Sequence, residues 1–287
     1  MKRFFEPLQS DILCKIKSNT ESLPHYHRHD GCEIFIFLNG GATYYIEQYS
    51  YPLTSGSLLL INPEEYHRSD LLKNMAYDRI VINIRESFLE QLSTETTCLS
   101  SCFLDRPCSE KNLIQLSNQD LQHFLVLSKQ LSAALDSSAY GHDLLAISYL
   151  LQILIKTNTL YKSSLEFQTS PLDLMPPLVR DTMHYIEEHL TEPISLADLS
   201  ATFYHNGTYI SRYFKSITGL SISQYILYKR ISLSQKLLKE GLPLTETCLM
   251  SGFNNYSNFS RTFAQQVGCS PKKYQNMFIS KKPLSSW

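Results

Sequence analysis

Residues Ser211–Ser221 read SRYFKSITGLS, and residues Ser260–Ser270 read SRTFAQQVGCS. Ser, Arg, Phe, Gly and Ser recur at the same five places, 49 residues apart, and Tyr225 and Tyr274 extend the register. At helical spacing Ile210, Phe214 and Ile217 form one apolar stripe. Thr208, Ser211, Arg212 and Lys215 form another face, with no large apolar group on it. Shifted by the repeat, the stripe becomes Phe259, Phe263 and, beside the shifted third position, Val267. The polar face becomes Ser257, Ser260, Arg261 and Ala264, with Asn254, Asn255 and Tyr256 at the helix start. Gly219 and Gly268 are placed to close the two helices. Each copy follows a short helix and a turn. The first short helix is SLADLSATF, with Ser195 as its cap. A longer helix over about Ser221–Glu240, ended by Gly241, joins the copies. The pattern is a duplicated helix-turn-helix.

A helix with an apolar back and a front of short hydroxyls and Arg suits the DNA major groove. Arg can donate two hydrogen bonds to guanine, Asn can pair with adenine, and Ser or Thr reaches bases or phosphates. A single Arg on a helix face is ordinarily just solvated. Two in matched register of a duplicated unit shift the reading to base contact. The connecting helix would be ~30 Å long at ~1.5 Å per residue, and successive major-groove faces lie ~34 Å apart. One chain could therefore read two adjacent grooves. Charge agrees: the net charge of −1 conceals 12 Lys and Arg against 7 Asp and Glu from Pro176 onward, with 14 against 20 before it. The C-terminal part is thus the one suited to a polyanion.

The first part of the chain reads differently. EIFIFLN, ATYYIEQYSYPL and GSLLLINP are strand-like, and NGG at 39–41 and SG at 55–56 signal turns. Short strands at this spacing over about 25–85 suggest a small barrel or sandwich. Beyond residue 86 the period becomes helical. SNQDLQHFLVLSKQLSAAL places Leu121, Phe124, Leu125, Ser128, Leu131 and Leu135 on one face, with Asn118 as N-cap. HDLLAISYLLQILIKT is apolar nearly all round and should be buried on several sides. YKSSLEFQTSPLDLMPPL, 161–178, reads as a linker. No run has the length expected of a signal peptide or a membrane span, so a cytoplasmic chain with no membrane partner is expected. The seven cysteines, Cys98, Cys102 and Cys108 among them, match no zinc spacing and read as reduced thiols.

HYHRHDGCEIFIFLNG carries His27-x-His29-x3-Glu33-x6-Gly40, which resembles the first metal motif of cupins, and His67 falls near the place of a later cupin ligand. Imidazole with carboxylate suits Fe, Mn, Zn or Ni. The second half of the cupin pattern is loose, so a pocket without metal is favoured, with His27, His29, Glu33 and His67 as the secondary metal reading. His25, His27, His29, Glu33, Tyr45 and His67 are the candidate effector-binding residues. The 18 tyrosines would suit stacking on a sugar, and equally a plain core.

The C-terminal stretches ISLADLSATF, YISRYFKSITGLS, YKRISLSQKLL, GFNNYSNFSRTF and GCSPKKY resemble the DNA-binding domain of the AraC/XylS family of bacterial transcription regulators. The resemblance covers about Leu178–Phe278 and is most specific in Gly252-Phe253, Ser260-Arg261, Phe263, Gly268, Ser270-Pro271 and Tyr274. It implies base contacts from Thr208, Ser211 and Arg212, then from Tyr256, Ser257 and Arg261; Lys215 and Asn255 complete the candidate DNA-binding set. Asn258 and Ala264 depart from the family's frequent aromatic and Lys, which implies a weaker phosphate grip by the second helix. The resemblance also implies a cupin-like sensor domain, and activation through RNA polymerase more than repression.

The expected architecture is α+β with two domains. Residues 1–160 form a cupin-like β-barrel with trailing helices, which binds effector and dimerises through helices 118–157. Residues 161–177 are a linker, and 178–287 are an all-α domain of two helix-turn-helix units joined by a linker helix. The expected partners are double-stranded DNA, a small-molecule effector such as a sugar or related metabolite, RNA polymerase and a second copy of the chain. No cofactor and no catalysis are expected. The competing reading is a metal-dependent cupin enzyme or metal sensor fused to a DNA-binding module.

Overall fold

The structure is a computed structural model and describes residues 5–6, 8–19, 26–72, 75–106, 111–164 and 175–279. The chain divides into two compact units, one from Glu6 to Leu174 and one from Met175 onward that includes Met1–Phe5. The strands are β1 (Phe5–Glu6), β2 (Ile12–Asn19), β3 (Arg28–His29), β4 (Gly31–Gly40), β5 (Ala42–Ile46), β6 (Tyr49–Pro52), β7 (Ser57–Ile61), β8 (His67–Leu71), β9 (Tyr77–Arg85) and β10 (Leu113–Gln115). The helices of the first unit are α1 (Glu86–Leu92), α2 (Ser101–Leu104), α3 (Asn118–Leu135) and α4 (His142–Ser164).

Two antiparallel sheets carry the first unit. One has the order β10-β7-β4-β9-β2 and the other β6-β5-β8. The inner strands of the larger sheet, β4 and β7, are buried on both faces, which explains why EIFIFLN is apolar along most of its length rather than alternating. Ile34 and Ile36 join Leu58, Leu60, Ile80, Ile82 and Ile84 in a core shared with α1–α4. Phe35 and Phe37, pointing the other way, join Leu59, Ile61 and Tyr77 in a second core. That core packs on Ala42, Tyr44, Ile46 and Tyr51 of the smaller sheet. ATYYIEQYSYPL is not one strand but a hairpin, β5 and β6, turned at Glu47 in the left-handed region (φ 50°). β2 and β10 lie outside the stretch that reads as strands.

The helices differ from expectation in several details. Ser117, not Asn118, caps α3, its side chain accepting from the Asp120 N–H. The inward face of α3 is Leu121, Phe124, Leu127, Ser128, Leu131 and Ala134, while Leu125 and Leu135 are half-buried. α4 runs through Ser164, into the segment expected to be linker. It also leaves Leu144, Leu145 and Ile155 exposed, so it is buried on one side rather than several. By length and composition α4 is the one described helix that could cross a membrane, contrary to the reading that no stretch could. Its polar residues nevertheless serve this unit: the Asn158 side chain accepts from the Cys102 N–H and donates to the Leu99 carbonyl.

A buried ion pair locks α2 to the sheet. Arg106 Nη1 and Nη2 donate to Glu65 Oε1 and Oε2 at 2.9 and 2.8 Å, with both side chains wholly inaccessible. Asn112 Nδ2 and the Asn62 N–H also donate to Glu65 Oε2, and Arg106 Nη2 reaches the Leu60 carbonyl. Every oxygen of the carboxylate is thus satisfied, the condition under which a buried pair is tolerated.

The second unit is all helical: α5 (Pro177–Glu188), α6 (Leu196–Phe203), α7 (Gly207–Thr218), α8 (Ile222–Lys239), α9 (Leu244–Met250), α10 (Tyr256–Val267) and α11 (Pro271–Ile279). Ser195 with Asp198, and Ser221 with Gln224, form reciprocal capping boxes at the starts of α6 and α8. Gly219 and Gly268 take left-handed backbone (φ 75° and 87°) at the ends of α7 and α10, where any side chain would be strained.

Arg106→Met strands the Glu65 carboxylate and is expected to cost the first unit about 3–5 kcal/mol. Adding Glu65→Gln should recover part of that loss. Urea unfolding of both variants followed by tryptophan-independent far-UV circular dichroism checks it; equal stability of wild type and Arg106→Met would refute the assignment.

Candidate functional site

The two recognition helices are superposable in their local chemistry. In α7, Ile210, Phe214 and Thr218 are buried, and Ile217 is half-buried. In α10, Phe259, Phe263, Gln266 and Val267 are buried. The tyrosines that extend the repeat explain themselves. Phe214 meets Tyr225 edge to face with centroids 5.6 Å apart, and Phe263 meets Tyr274 the same way at 5.5 Å. Each pair clamps a recognition helix to the helix that follows it, using the geometry aromatic rings favour.

The opposite faces are open. Thr208, Arg212 and Lys215 of α7 are exposed and Ser211 is half-buried; Asn255, Tyr256, Ser257 and Arg261 of α10 are exposed. The Asn255 oxygen accepts from the Asn258 N–H as N-cap of α10. Asn206 caps α7 in the same way, accepting from the Thr208 N–H. Asn206 and Asn255 are themselves 49 residues apart, a further recurrence visible in the sequence but unused in reading it. Capping leaves Asn255 with its amide donors for an outside partner. Arg261 Nη2 lies 3.3 Å from Asn258 Oδ1, so Asn258, where the family often has an aromatic, holds the guanidinium from the side. Lys215 has only Ala264 as its counterpart, and the second face carries one cation to the first face's two.

α8 is the rigid spacer. Its 18 residues span about 27 Å at 1.5 Å each. Arg230 ties it to the α5–α6 turn through the Leu190 and Glu192 carbonyls, and Lys229 pairs with Glu187 at 2.7 Å. Ile231 and Leu238 of α8 share one core with Phe253, Phe259, Phe263 and Tyr274.

In the first unit a cavity of about 200 Å³ opens between the sheets. The strand period builds its wall in rows. Leu13 pairs Asn83, which pairs Glu33; Lys15 pairs Val81, which pairs Phe35; and Lys17 pairs Arg79. Tyr44, Ser69, Tyr77, His27 and His29 complete the lining. Of the residues singled out from sequence, His27, His29 and Glu33 line the cavity, and His67 packs behind them against both imidazoles. His25 lies outside the described residues. Tyr45 is a correction: it points to the other face of β5, where its ring carries the Arg68 guanidinium at 4.0 Å. Tyr44 takes the cavity position, because neighbours along a strand face opposite ways. The cations Lys15, Lys17 and Arg79 were missed; they sit on β2 and at a position of β9 that the sequence places on no particular face.

Glu33 is the electrostatic centre. It accepts from Tyr44 Oη at 3.2 Å and Asn83 Nδ2 at 2.7 Å, and lies 3.3 Å from His29 Nε2. Burial alone would raise its pKa, but the His29 hydrogen bond, the nearby imidazoles and Asn83 outweigh that and hold it well below the usual carboxylate range. Burial holds His67 below the ordinary histidine value. Burial, then the Glu33 charge, pushes Tyr44 well up, so its hydroxyl stays a donor.

An all-helical unit presenting two matched Arg-bearing helices, and a β unit holding a polar cavity, together define a DNA-binding regulator with a ligand-binding domain. Comparison with known proteins places it further. A family model described as an AraC-like ligand binding domain matches residues 11–154, and one described as a helix-turn-helix domain matches 199–277. The chain belongs to the AraC family of transcription regulators. It is 29% identical to the "Probable transcriptional regulator LumQ" of Photobacterium leiognathi over 87% of this chain and 91% of that one. It is 24% identical to the "Uncharacterized HTH-type transcriptional regulator YfiF" of Bacillus subtilis over 89% and 80%. Among solved structures, apo ToxT of Vibrio cholerae aligns over 95% of this chain and 100% of its own, at 18% identity and a TM-score of 0.37.

Asn255→Ala should cost the second unit about 0.5–2 kcal/mol, whereas Asn255→Ser, an equally good cap, should cost a few tenths at most. Thermal melting separates the two. A loss of DNA affinity in Asn255→Ser, with its melting unchanged, would mark the amide as a direct DNA contact.

Proposed function

We propose that the protein reads an extended, non-palindromic DNA site with both recognition helices and that a compact effector in the N-terminal cavity sets its regulatory state. The observation that carries the DNA half is the register-matched exposure of Arg212 and Arg261 on helices pinned by equivalent aromatic pairs. Arg212 is assigned to a guanine and Arg261 to the equivalent base in the next groove. Thr208, Ser211, Tyr256, Ser257 and Asn255 are assigned to nearby bases or backbone, and Lys215 to phosphate. The length of α8, about 27 Å, brings the helices near the ~34 Å spacing of successive major-groove faces.

The effector half rests on the cavity. Its volume lies below the common ~300–1,000 Å³ of drug-sized ligand sites, which favours a small metabolite. Phe35, Tyr44 and Tyr77 offer ring faces, and Glu33, Asn83, Ser69 and Arg79 offer hydrogen bonds, a lining compatible with a sugar or related molecule. Residues 1–160 then sense, 161–177 connect and 178–287 bind DNA. The exposed Leu144, Leu145 and Ile155 of α4 support pairing of two copies through residues 118–157. The family supports activation through RNA polymerase in the cytoplasm, and regulators among its relatives support a role without catalysis.

Arg212→Ala should weaken cognate DNA by about 1–3 kcal/mol and relax preference at one base pair. Lys215→Ala should weaken cognate and random DNA alike and lower the salt slope by about 1. Fluorescence anisotropy at several salt concentrations measures both. If Arg212→Ala weakens cognate and random duplexes equally, Arg212 is a phosphate clamp and the base-reading role falls.

A further inference from the structure

Three imidazoles meet at one wall of the cavity. The ligand atoms of His27, His29 and His67 all lie within 4.8 Å of one another. Main-chain pairing brings them together: the His27 N–H donates to the His67 carbonyl and the His67 N–H to the His27 carbonyl, at 3.0 and 2.9 Å. His29, two residues along the same strand direction, projects from the same side as His27.

His67 is the fixed member. Its Nδ1 lies 3.1 Å from the Glu65 carbonyl oxygen. A carbonyl can only accept, so Nδ1 carries the hydrogen and Nε2 the lone pair. That Nε2 is buried and has no hydrogen-bond partner among the described residues. A buried acceptor without a partner calls for an explanation. A backbone carbonyl on one ring nitrogen is also the arrangement that orients an imidazole for a metal on the other.

A fourth donor stands beside the three. Glu33 Oε2 is 3.3 Å from His29 Nε2, and its carboxylate is steered by Tyr44 and Asn83. The group is therefore three neutral-capable nitrogens and one carboxylate. That set suits first-row transition ions and zinc rather than magnesium or calcium, which take oxygen.

We propose that His27, His29 and His67, with Glu33, bind one divalent transition-metal ion, of the Zn²⁺, Co²⁺, Ni²⁺ or Fe²⁺ class, in the wall of the sensor cavity. His27, His29 and Glu33 line the cavity as well as the metal position, so an oxygen donor of the effector can reach the same ion. This inference rests on the reading of the cavity as the sensing site, and it makes the metal part of that site.

The test uses the full chain, stripped with chelator and dialysed, then titrated with Co²⁺ and Zn²⁺. Metal content after equilibrium dialysis gives the stoichiometry, and the ligand-field absorption of Co²⁺ reports nitrogen and carboxylate ligation. One equivalent per chain is expected, with a metal-dependent rise in melting temperature. His29→Ala and His67→Asn should abolish the absorption and the rise. Asn83→Ala, which removes only the hydrogen bond to Glu33, should weaken binding about 10–100-fold. His184→Ala, an exposed histidine of the other unit, should change nothing. Far-UV circular dichroism of the metal-free variants confirms that they fold. Substoichiometric uptake by the wild type, or full uptake by folded His29→Ala and His67→Asn, overturns the site. Promoter-DNA binding is measured on the same samples: metal failure with DNA binding intact refutes the metal site alone, while loss of DNA binding by the wild type refutes the regulator reading.

Discussion

The Arg106–Glu65 pair is the constraint on which the sensor unit depends. It is buried, bidentate and surrounded by partners that use the remaining lone pairs of the carboxylate. Glu65 sits in the turn between β7 and β8. The same residue's backbone carbonyl accepts from His67 Nδ1, and its neighbour Tyr66 donates its N–H to Glu47 Oε1. Fixing the Glu65 side chain therefore fixes the turn, the turn fixes the tautomer and direction of His67, and His67 sets the edge of the imidazole cluster. A pair of charges some distance along the chain thus decides which nitrogen of His67 carries the lone pair. A hydrophobic replacement of similar volume could match its stability. It could not supply the directional bonds that hold the turn.

In the DNA-binding unit the equivalent constraint is aromatic. The Phe–Tyr edge-to-face contact occurs twice with nearly the same separation, and each contact ties a recognition helix to its successor. Tyr225 adds a hydroxyl bond to Glu187, so the first clamp is also anchored to α5. Tyr274 instead completes the core built on α8. The two readers share a plan, and the differences between them lie where duplication leaves freedom: in the anchor behind the clamp, and in the charge on the open face, where Lys215 is matched by Ala264.

The helical half was legible because its signals are local. Periodic apolar stripes, capping residues and closing glycines all act within a turn or two, and the 49-residue repeat doubled each of them. The β half was legible only in part. EIFIFLN read as a strand, but a strand buried on both faces has no alternation from which to tell its two sides, so the cavity-facing set could not be chosen. Tyr44 and Tyr45 are adjacent tyrosines on β5, so an alternating pattern alone does not say which of the two faces inward. β2 was passed over because Lys15 and Lys17 interrupt its apolar pattern, and those two residues line the cavity. Arg106 and Glu65, 41 residues apart, carry no short-range signal at all. His27 and His29 stood out in the sequence because their spacing is local and their chemistry is rare, and both line the cavity.

β2 shows how one strand can join sensing to the helical layer of its own unit. Leu13, Lys15 and Lys17 face the cavity. Cys14, between them, faces α3. Its thiol donates to the Ser128 carbonyl at 3.4 Å, and its carbonyl accepts from Ser132 Oγ at 3.5 Å. Burial, aided by the charge of Asp136, pushes the Cys14 thiol up to about 12, so it remains a protonated donor. β2 is an edge strand, paired only with β9, and an edge can shift with fewer ladder bonds to break than a central strand. Through Cys14, β2 bears directly on two residues of α3. The strand that lines the cavity is thus one hydrogen bond away from α3, and α3 in turn packs on α4.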